Sequence, residues 1–412
     1  MRLDGVDLEA LAQRVGTPCH VCSATAIHQR IESLRAALHG LNARICYAVK
    51  ANPSLAILQL MATAGVGADI VSEGELRRSL RAGIPASDVV FSGVGKSARE
   101  IADALAVGVA RFNVESEDEL HLLQRVAEAR QVTASASVRI NPDVDALTHA
   151  KIATGKSENK FGVGIDEARR WFAGSKRLSH VRLDGLHVHI GSQMLSLDPI
   201  RLALQRVARF WRELEGEGHA IRSIDVGGGL GVCYRAGVDQ PLAASDYAEV
   251  IRGALDGFGG QIVLEPGRWL VAEAGVLLAR VIRVKQGESR HFLVLDAAMT
   301  DLLRPSLYDA WHDIVPLTRE ARPLQVYDVV GPVCETGDTF ARARELPQCQ
   351  AGDLVMIKAT GAYGAAMASN YNSRPLAAEV LLERGRYALT RHRQSFEQMI
   401  AGEQPATEWS EP

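Results

Sequence analysis

The sequence lacks a strong charge of either sign. Its 46 lysines and arginines nearly balance 49 aspartates and glutamates, for a formal net charge of -3. There is no basic stripe and no acidic tail, so neither nucleic acid nor a membrane surface is an expected partner. No apolar run approaches the ~18 residues that would span a bilayer. The first stretch, MRLDGVDLEALAQRVG, is charged and amphipathic and has no apolar core of the signal-peptide kind. The six cysteines (Cys19, Cys22, Cys46, Cys233, Cys334 and Cys349) are scattered through a long chain. That distribution argues for reduced thiols in a cytoplasm and against a disulfide framework. Cys19 and Cys22 have C-x-x-C spacing, but no second cysteine or histidine pair accompanies them, and no metal is expected there. No G-x-G-x-x-G follows the first strand-like run, which argues against a doubly wound dinucleotide fold.

What is present is a large, ordinary globular composition. The 412 residues, 47% of them apolar, are enough for two domains with a sizeable core. Between residues 24 and 270, eight short apolar runs alternate with helical patterns. The runs are ICYAVKA, GADIVS, VVFSGV, ARFNVES, SASVRIN, LDGLHVHIG, SIDVGGG and QIVLEPG. LAILQLMATAG, EGELRRSLRAG, SAREIADALAVG and SEDELHLLQRVAEAR are among the helical stretches between them. Eight β-α units predict an α/β fold, a closed parallel (β/α)8 barrel. After about residue 275 the texture changes to β-like runs separated by turns, such as RHFLVLDA, LQVYDVVGPVC and DLVMIKAT. These predict a second, mostly antiparallel β domain. The polar tail GEQPATEWSEP reads as frayed.

Barrels of this kind place function at the C-terminal ends of their strands. There the sequence offers an amine, Lys50; two histidines, His187 and His189; a hydroxyl, Ser192; a glycine run, Gly227 to Gly229; a carboxylate, Glu265; and a cation, Arg268. Each has a plain reading as well. A strand-end lysine ordinarily snorkels to water. A glycine run makes turns, although its backbone N–H groups also cradle anions. Two histidines two apart on a strand share a face and could bind metal, but no carboxylate pair with supporting spacing joins them, and a core or ring-stacking role for one of them is the better reading. Glu265 is either a turn carboxylate or the partner of a protonated ring nitrogen. Taken together the set matches pyridoxal 5'-phosphate, which needs a lysine for its aldehyde, a cradle for its phosphate and an acid partner for its pyridine nitrogen.

The motifs carry a resemblance. GTPCHVCS, CYAVKANP, GADIVSEGEL, FSGVGKS, RINPDVDALTHAKIATGKSENKFGV, GLHVHIGSQ, DVGGGLG and EPGR, followed by LDAAMTDLLRPSLYDAWHDI, VVGPVCETGDTF and GAYGAAMASNYNSRPLAAEVLL, resemble the alanine-racemase-like, fold-type III pyridoxal-phosphate decarboxylases. RPSLYDAWH, CETGD and MASNYNSRP point to the branch acting on diaminopimelate. The resemblance implies a barrel over 24–270 and a β domain formed by 271–412 with residues 1–23. It implies that Lys50 binds the cofactor covalently and that His189 stacks on its ring. Ser192, Gly228 and Gly229, with the backbone from Glu265 through Gly267 to Arg268, would hold its phosphate. Glu265 would pair with the pyridine nitrogen and Tyr363 would reach both cofactor and substrate. Arg268, Arg304 and Tyr308 would hold the far carboxylate of the substrate, Glu335 its far ammonium, and Cys334 would donate a proton. The implied assembly is a cytoplasmic homodimer in which Cys334 and Glu335 serve the partner's site. The implied reaction is decarboxylation of meso-2,6-diaminopimelate to L-lysine and carbon dioxide. A zwitterionic far end needs both signs of charge, and an arginine fork suits its carboxylate. A related decarboxylase of ornithine, arginine or a carrier-bound amino acid is the alternative.

Overall fold

Eight parallel strands close on themselves in the computed structural model, which describes residues 1–146, 160–317, 321–407 and 409. The segment LTHAKIATGKSEN (147–159), part of one family-like motif, lies outside the described residues, as does most of the end of the polar tail. The barrel strands are Ala43–Ala48, Gly67–Ile70, Val89–Phe91, Arg111–Val114, Ala134–Ile140, Val181–Val188, Ser223–Asp225 and Gln261–Leu264. They run round the ring in chain order. The last closes on the first through Ile262 opposite Ala43 and Leu264 opposite Ile45. Each of the eight apolar runs supplies one strand, and the expected (β/α)8 architecture is the one observed.

Local chemistry sets the helices between the strands. Ser97 caps the helix Ala98–Val107 in a reciprocal capping box with Glu100, and Gly108 ends it in the left-handed conformation. Ser72 and Ser116 cap the helices Glu73–Arg81 and Glu117–Ala129 through the backbone N–H of Glu75 and Glu119. The helix Ala24–Ala37 buries Ile27, Ile31 and Leu34, one face at a spacing of three to four.

The chain divides into two compact units: Ala24–Ala274 with Gly361–Ala366, and Met1–Ser23 with Gly275–Thr360 and Met367–Pro412. The second unit centres on one long strand, Gly275–Gln286. Its side chains alternate between two cores, Leu277, Ala279 and Val281 entering one and Val276 and Leu278 the other. Cys19–Ser23 pairs antiparallel with this strand and parallel with Ala378–Glu383. The helix Leu8–Val15 adds Leu8, Leu11 and Ala12 to the second core. Most strand pairings in the unit are antiparallel. The exceptions are His291–Leu295 beside Leu324–Val330, and the N-terminal strand beside Ala378–Glu383. Among the described residues, no helix is long and apolar enough to cross a membrane.

Candidate active site at the barrel mouth

Lys50 does not end a strand. The first barrel strand stops at Ala48, and Val49–Ala51 form a single 3-10 turn that carries the lysine clear of the sheet. Its side chain is 40% exposed, and Nζ lies 2.9 Å from Oδ2 of Asp69, a fully buried residue of the neighbouring strand. Desolvation pulls the amine's pKa down, but the carboxylates of Asp69 and then Glu265 outweigh it and hold the pKa up. The turn itself is pinned. The Asn52 amide donates to the Gly361 carbonyl at 3.0 Å, and the Tyr363 N–H donates to the Ala51 carbonyl at 2.8 Å. The Lys50 turn and the GAY segment are therefore one hydrogen-bonded structure.

Glu265, just past the eighth strand, is buried among donors. Its Oε1 accepts from Ser92 Oγ and from Asn113 Nδ2, both at 3.2 Å, and its Oε2 lies 3.3 Å from His187 Nε2. Burial would raise its pKa, but His187 and Lys50 outweigh burial and hold the carboxyl well below its ordinary value. Its neighbour Asp225 goes the other way, because burial and the Glu265 charge push its pKa well up. Two acids in one pocket are thus pushed apart, Glu265 toward its anion and Asp225 toward its neutral form. Asp225 accepts from the Gly227 N–H at 2.9 Å.

The two histidines do not form a same-face pair. The sixth strand ends at Val188, so His189 lies beyond the alternation that the H-x-H spacing implied. His187 points to Glu265, whereas His189 Nδ1 accepts from the Gly228 N–H at 3.1 Å. Burial, aided by the Arg139 guanidinium, lowers the His189 pKa to about 3. His189 therefore presents an uncharged flat ring at any ordinary pH.

Next to it, the Arg268 guanidinium donates to Ser192 Oγ at 3.0 and 3.2 Å and to the Tyr234 hydroxyl at 2.5 Å. It also lies 4.9 Å from the centre of the Tyr363 ring. The glycine run touches backbone on every side. A Cβ at Gly227 would sit 2.4 Å from the Val188 carbonyl oxygen, at Gly228 2.2 Å from that of Glu265, and at Gly229 2.5 Å from that of Gly191.

Four expected site residues belong to the β unit. Arg304 opens the short helix Arg304–Tyr308 and is buried, with Nη1 2.7 Å from His312 Nε2. His312 Nδ1 lies 2.8 Å from the Lys358 carbonyl. That carbonyl needs a donor, so Nδ1 carries the proton and Nε2 accepts from the arginine. Cys334 and Glu335 are exposed on the loop before Thr339–Pro347.

The pyridoxal binding domain of the pyridoxal-dependent decarboxylases matches residues 14–272. The diaminopimelate decarboxylase of Zymomonas mobilis is 46% identical, covering 99% of this chain and 97% of that one. That of Pseudomonas aeruginosa is 48% identical, covering 97% and 96%. This chain belongs to the diaminopimelate decarboxylase family. The crystal structure of the Helicobacter pylori diaminopimelate decarboxylase complexed with L-lysine has a TM-score of 0.93 and 43% identity, over 96% of this chain and 98% of that one.

The barrel mouth fits the cofactor of a pyridoxal-dependent decarboxylase family. An amine, a buried anion, a neutral ring and a hydroxyl-guanidinium pair converge beside a backbone cradle that admits no side chain at Gly227 to Gly229. Gly228→Ala is expected to cost about 1–3 kcal/mol of stability, since its Cβ meets backbone and not a movable side chain. It should also release cofactor on dialysis. Thermal melting and visible absorbance after dialysis check this, and an unchanged melt would contradict the close approach.

Sequence reasoning missed the second layer of this family site: Asp69, Ser92, Asn113, Asp225 and Tyr234. A signal was there for three of them. Asp69, Asn113 and Asp225 are themselves buried polar residues within short strands, where a polar side chain needs a specific partner.

Proposed function

We propose that this chain decarboxylates meso-2,6-diaminopimelate to L-lysine and carbon dioxide, the last step of lysine biosynthesis, using pyridoxal 5'-phosphate. The observation that carries this reading is the likeness to diaminopimelate decarboxylases over nearly the whole chain, joined to a barrel mouth that holds Lys50 and an ionised Glu265. Bound there, pyridoxal phosphate supplies an electron sink for the pair left behind when the carboxylate departs.

The chain's residues do the rest. Lys50 would hold the cofactor through its amine, the nucleophile that its aldehyde requires. Glu265, kept anionic by His187 and Lys50, holds a proton on the ring nitrogen. His189 packs its uncharged ring against the cofactor. Ser192, Gly228 and Gly229, with the backbone of Gly267 and the guanidinium of Arg268, neutralise the phosphate. Arg268, Arg304 and Tyr308 bind the far carboxylate of the substrate, Glu335 binds its far ammonium, and Tyr363 borders both molecules. Fixing the far end decides which carboxylate stands in position to leave. Cys334 delivers a proton to the carbon that lost its carboxylate. The working form is a cytoplasmic homodimer in which Cys334 and Glu335 serve the partner's barrel, consistent with their exposure.

Carbon dioxide release and chiral product analysis test the reading, with meso-diaminopimelate offered beside ornithine, lysine and arginine. L-Lysine formed from meso-diaminopimelate alone is the expected result. Release from another amino acid instead would overturn the far-end assignments.

A further inference from the structure

The loop carrying Cys334 and Glu335 is built from two sides. On one side is Asp338, 3% exposed, whose carboxylate accepts from the Val333 N–H at 2.7 Å and the Met299 N–H at 2.6 Å. Within the loop, the Glu335 N–H donates to the Val333 carbonyl and the Asp338 N–H to that of Glu335. On the other side lies the segment SNYNS. Asn372 Oδ1 accepts from the Cys334 N–H at 3.0 Å.

Two further features mark SNYNS as a built element. Asn372 and Ser373 are consecutive non-glycine residues in the left-handed region, at φ 55 and 53. L-residues adopt that conformation at a cost, and it persists where surrounding contacts over-determine it. The contacts are present: Asn370 Nδ2 donates to the Arg374 carbonyl at 2.8 Å and to Gln394 Oε1 at 2.6 Å, and the Ser369 N–H donates to the Thr300 carbonyl at 3.0 Å. The strained turn aims the Asn372 side chain at the backbone of Cys334.

We propose that Asn372 is a positioning residue: its side chain fixes the backbone that carries Cys334. The inference rests on the role given above to Cys334, and Asn372 acts through it on proton delivery.

The test uses holoenzyme and steady-state turnover of meso-diaminopimelate. Asn372→Gly removes the acceptor and relaxes the left-handed backbone, so it isolates the side-chain bond. It should lower kcat about tenfold, the effect of one lost hydrogen bond, and leave KM within about twofold. Asn372→Asp keeps both an acceptor and tolerance of positive φ, and should restore kcat to within about threefold of wild type. Cofactor absorbance should be unchanged in both. Wild-type kcat and KM in Asn372→Gly, while Cys334→Ala loses activity, would overturn the positioning role alone. A combined loss in Asn372→Gly that Asp does not rescue would reduce Asn372 to a folding role and overturn its part. Full activity in Cys334→Ala would instead remove the underlying assignment.

Discussion

Lys50→Ala is expected to lower turnover by on the order of 10^4-fold or more, the effect of removing the group that carries covalent catalysis. The same variant should take up no cofactor-derived mass after borohydride reduction, whereas wild type should carry that mass on the peptide containing Lys50. The structure shows why Lys50 and not Lys96 is the reactive amine. Lys96 is also at the rim, but its side chain is 1% exposed. Its ammonium is committed to three acceptors, the Gly93 carbonyl at 2.7 Å, the Asn113 carbonyl at 2.8 Å and Glu119 Oε1 at 2.7 Å. An ammonium has three protons, so this one is saturated and acts as a structural tie. Lys50 is partly exposed and sits on a turn outside the sheet. Its ion pair with Asp69 keeps it protonated until a ligand competes. Label found on Lys96, or turnover surviving in Lys50→Ala, would sink the assignment.

The second large effect is expected at Glu265. Glu265→Gln preserves shape and can still accept from Ser92 and Asn113, but it removes the negative charge. Without that anion a proton on the ring nitrogen is no longer favoured, and kcat should fall by about 10^2–10^3-fold, the range for loss of one preorganised electrostatic partner. Cofactor should still bind through Lys50 and the glycine cradle, so absorbance of bound cofactor should persist while turnover falls. Wild-type turnover in Glu265→Gln would show that the ring nitrogen has another partner.

These two residues were legible in the sequence because their position needs only local information. A strand followed by a helix defines a rim, and whatever comes just after the strand lies on it. The eight barrel strands were found for the same reason. What hid was pairwise geometry. Asp69 faces Lys50 across adjacent strands, and Asn113 reaches Glu265 from 152 residues away in sequence. No periodicity records such a contact. The H-x-H spacing misled because strand alternation ends one residue before His189. In the β unit, strand character was plain but direction was not. The parallel pairing of the N-terminal strand joins Cys19 to Ala378 and Ser23 to Leu382, a match that only the folded chain reveals.

That pairing sets an order of events on the ribosome. Cys19–Ser23 is made before both strands that flank it, Gly275–Gln286 and Ala378–Glu383. At about 5–20 residues per second the wait for the first neighbour is roughly 10–50 s. Throughout it, an apolar strand with two thiols has no sheet to join, while the eight barrel strands, contiguous from Ala43 to Leu264, are being completed behind it. The nascent chain therefore carries an unpaired sticky strand while its barrel is being made, and residues translated before the barrel find their place after it.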